Sequence, residues 1–370
     1  MRHAENRTGV SRASLPTIAG SVLGILSLFI VVATAALWHS PTASAEDSCD
    51  QIRDIVEKAR CRVAHVNRVP PQHLARALEP THINWVYDAE LSPDGKLLAS
   101  AGKDEVVKLW EVGTGKFIRN LGTHEGWVRQ VVFSPSGKTV YSLADNQGLS
   151  ELDVGTGKLG RTQQGPAHEW YKMAISPDGK LLAIREDKDV LLWRTQDWAE
   201  QSRLPVAQAA VVAFAPDSTL LVAGRRLGEL WDVGSRTKKM ILEPVAEVDA
   251  AAFSPDGSLI GWAGGGKAGV WEAASGKLLS SWSTGNSFTT FAVAITPDKG
   301  LLLTAFEYPS EWDIATRQLA RKLGTMTDLT HSIAITPDGK FAITSHMGSD
   351  IRMWDIASGQ MVRQFGERVN

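Results

Sequence analysis

Six side chains at regular spacing are the strongest candidates for a site in this 370-residue chain: Trp85, Tyr87, Trp127, Arg129, Trp170 and Tyr171. Trp85 and Tyr87 are followed 42 residues later by Trp127 and Arg129, and Trp170 and Tyr171 come at nearly the same interval again. Trp, Tyr and Arg dominate binding hot spots because each joins a large contact area to a polar handle. Their chemistry is non-covalent recognition of a protein or peptide. Burying one indole, about 160 Å² at about 25 cal/mol per Å², is worth roughly 4 kcal/mol. An indole packed on a neighbouring element would use that energy for stability instead, and the sequence leaves both uses open.

Other near-motifs carry less. Gly261-x4-Gly266-Lys267 approaches a phosphate loop, but Ala268 stands where a magnesium-binding hydroxyl is needed and no helix pattern follows. It reads as a hairpin turn. The acidic run Glu186-Asp187-Lys188-Asp189 is too short for a calcium loop, and the nine histidines form no HExxH pair. No Gly-x-Ser-x-Gly elbow occurs. The sequence therefore suggests no metal, no cofactor and no catalytic residue, although distant side chains could still meet. With 39 basic and 41 acidic residues, it offers no basic excess for nucleic acid.

The elements that position the six residues are set by Ser92-Pro93-Asp94-Gly95, which recurs in related form at Ser134, Ser176, Ala215, Ser254, Thr296 and Thr336. The prolines at 93, 135, 177, 216, 255, 297 and 337 step by 39 to 42 residues. Proline presets the first central turn position, Asp bonds locally, and Gly accepts positive φ, so each copy is a tight reversal between strands. In the first copy, strands are expected at Trp85 to Leu91, Lys96 to Ala101, Val106 to Val112 and Lys116 to Leu121. Four antiparallel strands per period of about 40 residues make one blade of a ring, and one blade alone cannot bury its two apolar faces. The content of 33 glycines and 16 prolines suits many short strands.

The third strands end in Leu109-Trp110-Glu111, Leu192-Trp193-Arg194, Leu230-Trp231-Asp232, Val270-Trp271-Glu272, Glu311-Trp312-Asp313 and Met353-Trp354-Asp355, with Leu152-Asp153 in the second copy. In this the chain resembles the WD-repeat β-propeller family, in an exported, bacterial-type form, over residues 81–370. The resemblance implies an all-β, seven-bladed propeller. It also implies a hydrogen-bonded tetrad of His82, Ser100, Asp104 and Trp110 in blade one. Blade two offers His124, Ser142, and Asp145 or Asn146, with Leu152 replacing Trp. The later blades lose most of these polar groups and are expected to rely on packing. Gln360 to Phe365 supplies an outer strand, so blade seven is expected to be continuous in sequence, with closure left to packing between blades one and seven.

Ahead of the repeats, Arg2, Arg7 and Arg12 precede an uncharged apolar run from Leu15 to Trp38, followed by Ala43-x-Ala45. This reads as a signal peptide cut after Ala45, or as an uncleaved helix anchoring the chain to a membrane. Either way the repeats lie outside the cytoplasm, in a periplasmic or secreted location. Residues 46–80 read as a helical lead-in carrying Cys49 and Cys61. One straight helix would hold the two cysteines roughly 18 Å apart, beyond disulfide reach, while a bent segment in an oxidising compartment would pair them. The expected function is a non-catalytic scaffold that binds a protein or peptide through the rim of blades one to three. The alternatives are a structural part of an envelope assembly or an exported propeller enzyme, such as a hydrolase or an oxidoreductase resembling quinoprotein dehydrogenases. Of the repeats, only Ser275-Gly276-Lys277 with Trp282 approaches the quinoprotein pattern.

Overall fold

The computed structural model describes residues 81–370 apart from 165–171, 187, 207–208, 225–226, 244, 246, 286–288, 325–328 and 367–370. The apolar run 15–38, the lead-in 46–80 with Cys49 and Cys61, and Trp170, Tyr171 and Asp187 lie outside the described residues.

Blade one is built from Val86–Leu91, Leu97–Gly102, Val106–Glu111 and Lys116–Thr123, within two residues of the strand ends expected from sequence. Its second and third strands are buried almost throughout, because neighbouring blades cover both faces, whereas the fourth alternates between exposed and half-buried positions at the outer edge. Six further four-stranded antiparallel sheets follow. Their inner strands are Val128–Phe133, Met173–Ile175, Ala209–Phe214, Ala250–Phe253, Ala292–Ile295 and Thr330–Ile335. No helix appears among the described residues.

The recurring turn works at two levels. Within a blade, Gly95 N donates to Ser92 O at 2.8 Å and Ser92 Oγ donates to Asp94 Oδ1 at 2.7 Å. Gly95 takes φ 69°, and Ser218 (68°) and Lys299 (60°) adopt the same left-handed geometry where glycine is missing. Between blades, the turn glycine faces the turn proline of the preceding blade. A Cβ at Gly95 would sit 2.8 Å from Pro337 Cδ, at Gly257 2.9 Å from Pro216 Cδ, and at Gly339 3.0 Å from Pro297 Cδ.

The tryptophan of the third strand also has a positional cause. The pairing of third and fourth strands slips just before Trp110, Trp193, Trp231, Trp271, Trp312 and Trp354. Such a bulge bends and twists the outer strand.

Blade seven is one continuous segment, 330–364, with Met361–Gln364 as its outer strand. Its junction with blade one shares a core of Val86, Leu98, Trp110, Ile343, Ile351, Met353 and Phe365. Arg363 Nη1 donates across the junction to Val112 O at 2.7 Å. The same device joins blades one and two through Arg119 and Gly155 O, two and three through Arg161 and Thr195 O (2.9 Å), and six and seven through Arg321 and Ala357 O (2.9 Å). In blade three Ser202 stands at the equivalent place, and the adjacent Arg203 is held within its own blade by Glu186, Asp189 and Glu200.

The stretch resembling a phosphate loop is a hairpin. Gly265 and Gly266, at φ 56° and 74°, join strands Leu259–Gly264 and Lys267–Glu272, and Gly261 lies inside the first of them.

Candidate functional site

Trp85 and Trp127 stand just before the inner strands of blades one and two, where the chain passes close to its own second turn. Lys103 N donates to Trp85 O at 2.8 Å and Asp145 N to Trp127 O at 3.0 Å. Only glycine permits this approach at position 126, since a Cβ there would lie 2.0 Å from Asp145 O. The indoles are directed outward and remain 36% and 37% exposed. Each also packs on a neighbouring blade, Trp85 against His331 at 6.4 Å and Trp127 against Tyr87 at 6.2 Å.

Together with the turns, these strands assemble a ladder of rings and cations. Lys103 Nζ lies 4.5 Å from the ring centroids of both Trp85 and Trp127. The Arg129 guanidinium lies 4.8 Å from Trp127 and 4.7 Å from Tyr87. It is fixed by Asp145, with Nη2 to Oδ2 at 2.7 Å and Nε to Oδ1 at 3.1 Å. Tyr87 meets the edge of His331 at 5.3 Å, Trp85 lies 6.4 Å from His331, and His331 lies 4.7 Å from Phe291. Burial, then the charges of Lys172 and Arg129, pull the His331 imidazole down to about 4, so it is neutral in the ladder at neutral pH.

The ladder of described rings and cations runs from blade six through seven and one to two, and the blade-three candidates Trp170 and Tyr171 lie outside the described residues. His331 and Phe291 occupy the same place in their inner strands as Tyr87 and Arg129. Ring closure is what sets His331 beside Trp85, 246 positions away in the chain. Lys103 and Asp145 were not legible as site residues, because they reach the rim from turns whose direction no periodicity encodes.

The tetrad side chains meet beneath this rim. His82 Nδ1 lies 2.9 Å from both Asp104 carboxylate oxygens, His82 Nε2 lies 2.7 Å from Ser100 Oγ, and Trp110 Nε1 donates to Ser100 Oγ at 2.7 Å. Burial raises the Asp104 carboxyl, but His82 and the Ile83 N–H outweigh it and hold the group below its usual value. In blade two neither Asp145 nor Asn146 serves: His124 Nδ1 takes Gln147 Oε1 at 3.1 Å. Asp145 is committed to Arg129, and Asn146 forms the turn at φ 66°. With only a neutral partner, burial lowers His124 to about 4. Blade seven rebuilds the chain differently. Trp354 Nε1 donates to Thr344 Oγ1 at 2.8 Å, and Thr344 Oγ1 lies 2.8 Å from Nε2 of His346, a histidine at the end of the second strand.

At four blade junctions a side chain of the preceding blade covers a backbone N–H at the free edge of an inner strand. Ser332 Oγ accepts from Ala89 N (3.0 Å), Asp88 Oδ2 from Val131 N (3.1 Å), Gln130 Oε1 from Met173 N (2.6 Å) and Asp249 Oδ2 from Thr290 N (3.1 Å). Burial raises Asp88, and burial together with Asp88 raises Glu90 further. These carboxyls act in ring assembly. Small residues at Ala210, Ala250 and Ala292 leave a cavity of about 130 Å³ bounded on the polar side by Gln130 and Lys172.

A family model described as "WD domain, G-beta repeat" matches residues 76–111 and 115–147, the part of the chain that includes the complete tetrad. The chain is 24% identical to Protein groucho of Drosophila melanogaster over 168 residues, 42% of this chain and 23% of that protein. It is 23% identical to Transducin-like enhancer protein 2 of Mus musculus over 211 residues, 52% of this chain and 27% of that protein. The chain thus spans about a quarter of the length of the curated relatives it matches. The matched repeats, the buried tetrad and the seven four-stranded sheets show WD40 repeats built into a seven-bladed β-propeller.

Proposed function

We propose that this protein is a non-catalytic scaffold outside the cytoplasm that holds a protein or peptide through the rim of blades one to three. WD40 propellers generally serve as protein-interaction scaffolds. The observation that carries the reading is the pair of exposed indoles, Trp85 and Trp127, fixed on a rigid rim beside Tyr87 and Arg129. Interfaces draw most of their energy from such aromatic and Arg anchors at low conformational cost. The extracytoplasmic location rests on the basic start and the apolar run 15–38 alone.

Trp127→Ala tests the reading. In cells producing the native chain or the variant, crosslinking is expected to capture a discrete partner with the native protein and to lose most of it with Trp127→Ala, while the melting temperature stays within about 2 °C. Undiminished capture, or a large fall in melting temperature, would make the indole a packing group and refute the reading.

A further inference from the structure

The Lys103 ammonium is held in an unusual way. Among the described residues its Nζ has no hydrogen-bond acceptor and no carboxylate partner; its contacts are two indole faces at 4.5 Å each. Arg129, the next cation along the ladder, is by contrast tied to Asp145 through three hydrogen bonds. Lys103 is half-buried, in a turn between buried Gly102 and Asp104, but its long stem has several rotatable bonds, so its place between the rings is replaceable. We infer that the Trp85–Trp127 slot is a receptor for a quaternary ammonium group, occupied at rest by Lys103 and vacated when the partner's cation enters. This deepens the scaffold reading and rests on it, by naming the chemistry that the partner presents at the rim.

The choice of a quaternary cation follows from what the slot offers. An aromatic face attracts positive charge through its quadrupole, and indole does so best. A primary ammonium carries three N–H donors that need acceptors once water leaves, and the slot supplies none. A trimethylated ammonium has no donors to satisfy, sheds water readily and presents methyl groups to both rings. A guanidinium would bring five donors to the same acceptor-free slot. Asp145, the nearest carboxylate of the ladder, is already committed to Arg129. The same head group could arrive on a methylated lysine side chain or on a free choline-type molecule, and the assay separates them.

The test is tryptophan fluorescence of the full chain titrated with tetramethylammonium chloride, with ammonium chloride as the control. Lys103→Ala empties the slot, and Lys103→Gln keeps the stem while removing the charge. Loss of a competitor held by two exposed cation–π contacts should tighten binding roughly tenfold in both variants relative to the native protein. Adding Trp127→Ala to either variant should abolish the response. A peptide bearing trimethyllysine that binds more tightly than choline identifies a protein source, and the reverse order a small-molecule source. A signal equal for ammonium and tetramethylammonium, or no gain in either Lys103 variant, overturns the inference. That outcome leaves the scaffold reading standing if Trp127→Ala still loses the captured partner.

Discussion

Glu311 should make the stability of this propeller fall as pH rises from 4.5 to about 7. It lies on the third strand of blade six with a side chain 0% exposed, and neither carboxylate oxygen accepts a hydrogen bond from the described residues. Arg321 Nε is only 2.8 Å away, but it lies off the direction in which that N–H would donate, so the pair has charge attraction without a good hydrogen bond. Burial wins over Arg321 and lifts the carboxyl from its ordinary 4.5 to about 7. The folded state therefore binds more protons than the unfolded chain between these values. The contribution is fully present below 4.5 and is lost as pH climbs to about 7. That displacement corresponds to about 3 kcal/mol at most. Relaxation of the buried site when the carboxyl ionises weakens the burial penalty and brings the expected loss nearer about 2 kcal/mol. Glu311→Gln keeps the shape and cannot ionise. Urea unfolding of both proteins from pH 4 to 8 isolates the term, since other titrating groups cancel in the difference. The variant should gain on the native protein by about 2 kcal/mol across this range. A difference that does not change with pH would show that Arg321 keeps Glu311 ionised in the fold, and would refute the reasoning.

Two further perturbations probe the scaffold. His82→Ala strands the Asp104 carboxylate and the Ser100 hydroxyl in the interior and should cost about 3 kcal/mol. His124→Ala, which removes neutral pairings with Gln147 and with Ser142 Oγ, should cost about 1–2 kcal/mol; equal losses in urea unfolding would mean that the charge on Asp104 adds nothing. Gly95→Ala and Gly137→Ala impose the same left-handed strain, at φ 69° in both, of about 1–2 kcal/mol. Only the first drives a methyl into the neighbouring turn, 2.8 Å from Pro337 against 3.8 Å from Pro93. Gly95→Ala should therefore melt lower, and identical melting temperatures would show that the turn ring carries no load at the junction of blades seven and one.

What could be read from the sequence was whatever repeats. The turn and the Trp recur in step, so strand ends in blade one were placed within two residues, and the four tetrad side chains could be named because blade one keeps every polar member. Where blades diverge the reading weakens. In blade two the partner of His124 moved from the expected turn residues to Gln147, because Arg129 claims Asp145 with three charge-assisted hydrogen bonds that a neutral ring cannot match. In blade seven the histidine comes from the end of the second strand, at His346, rather than from before the first, and still reaches the hydroxyl that Trp354 uses. The requirement is a buried hydroxyl with a second partner, and several chain positions can meet it.

The rim and the closure are one problem. A blade borrowed in part from the N-terminus would lock the ring through backbone hydrogen bonds, but here blade seven is complete in itself. Its junction with blade one must then be held by side chains. Arg363 reaches Val112 O, Ser332 covers the Ala89 N–H, Phe365 meets the edge of Trp110 at 6.2 Å, and Pro337 seats against Gly95. The same junction sets His331 against Trp85 and Tyr87. Weakening the closure would separate these rings before it unfolds either blade, since each blade's own ladder is intact without the other. Partner affinity at the rim and cohesion of the ring are therefore coupled through blade seven, and a ligand touching both Trp85 and His331 would bind the closed ring in preference to an opened one.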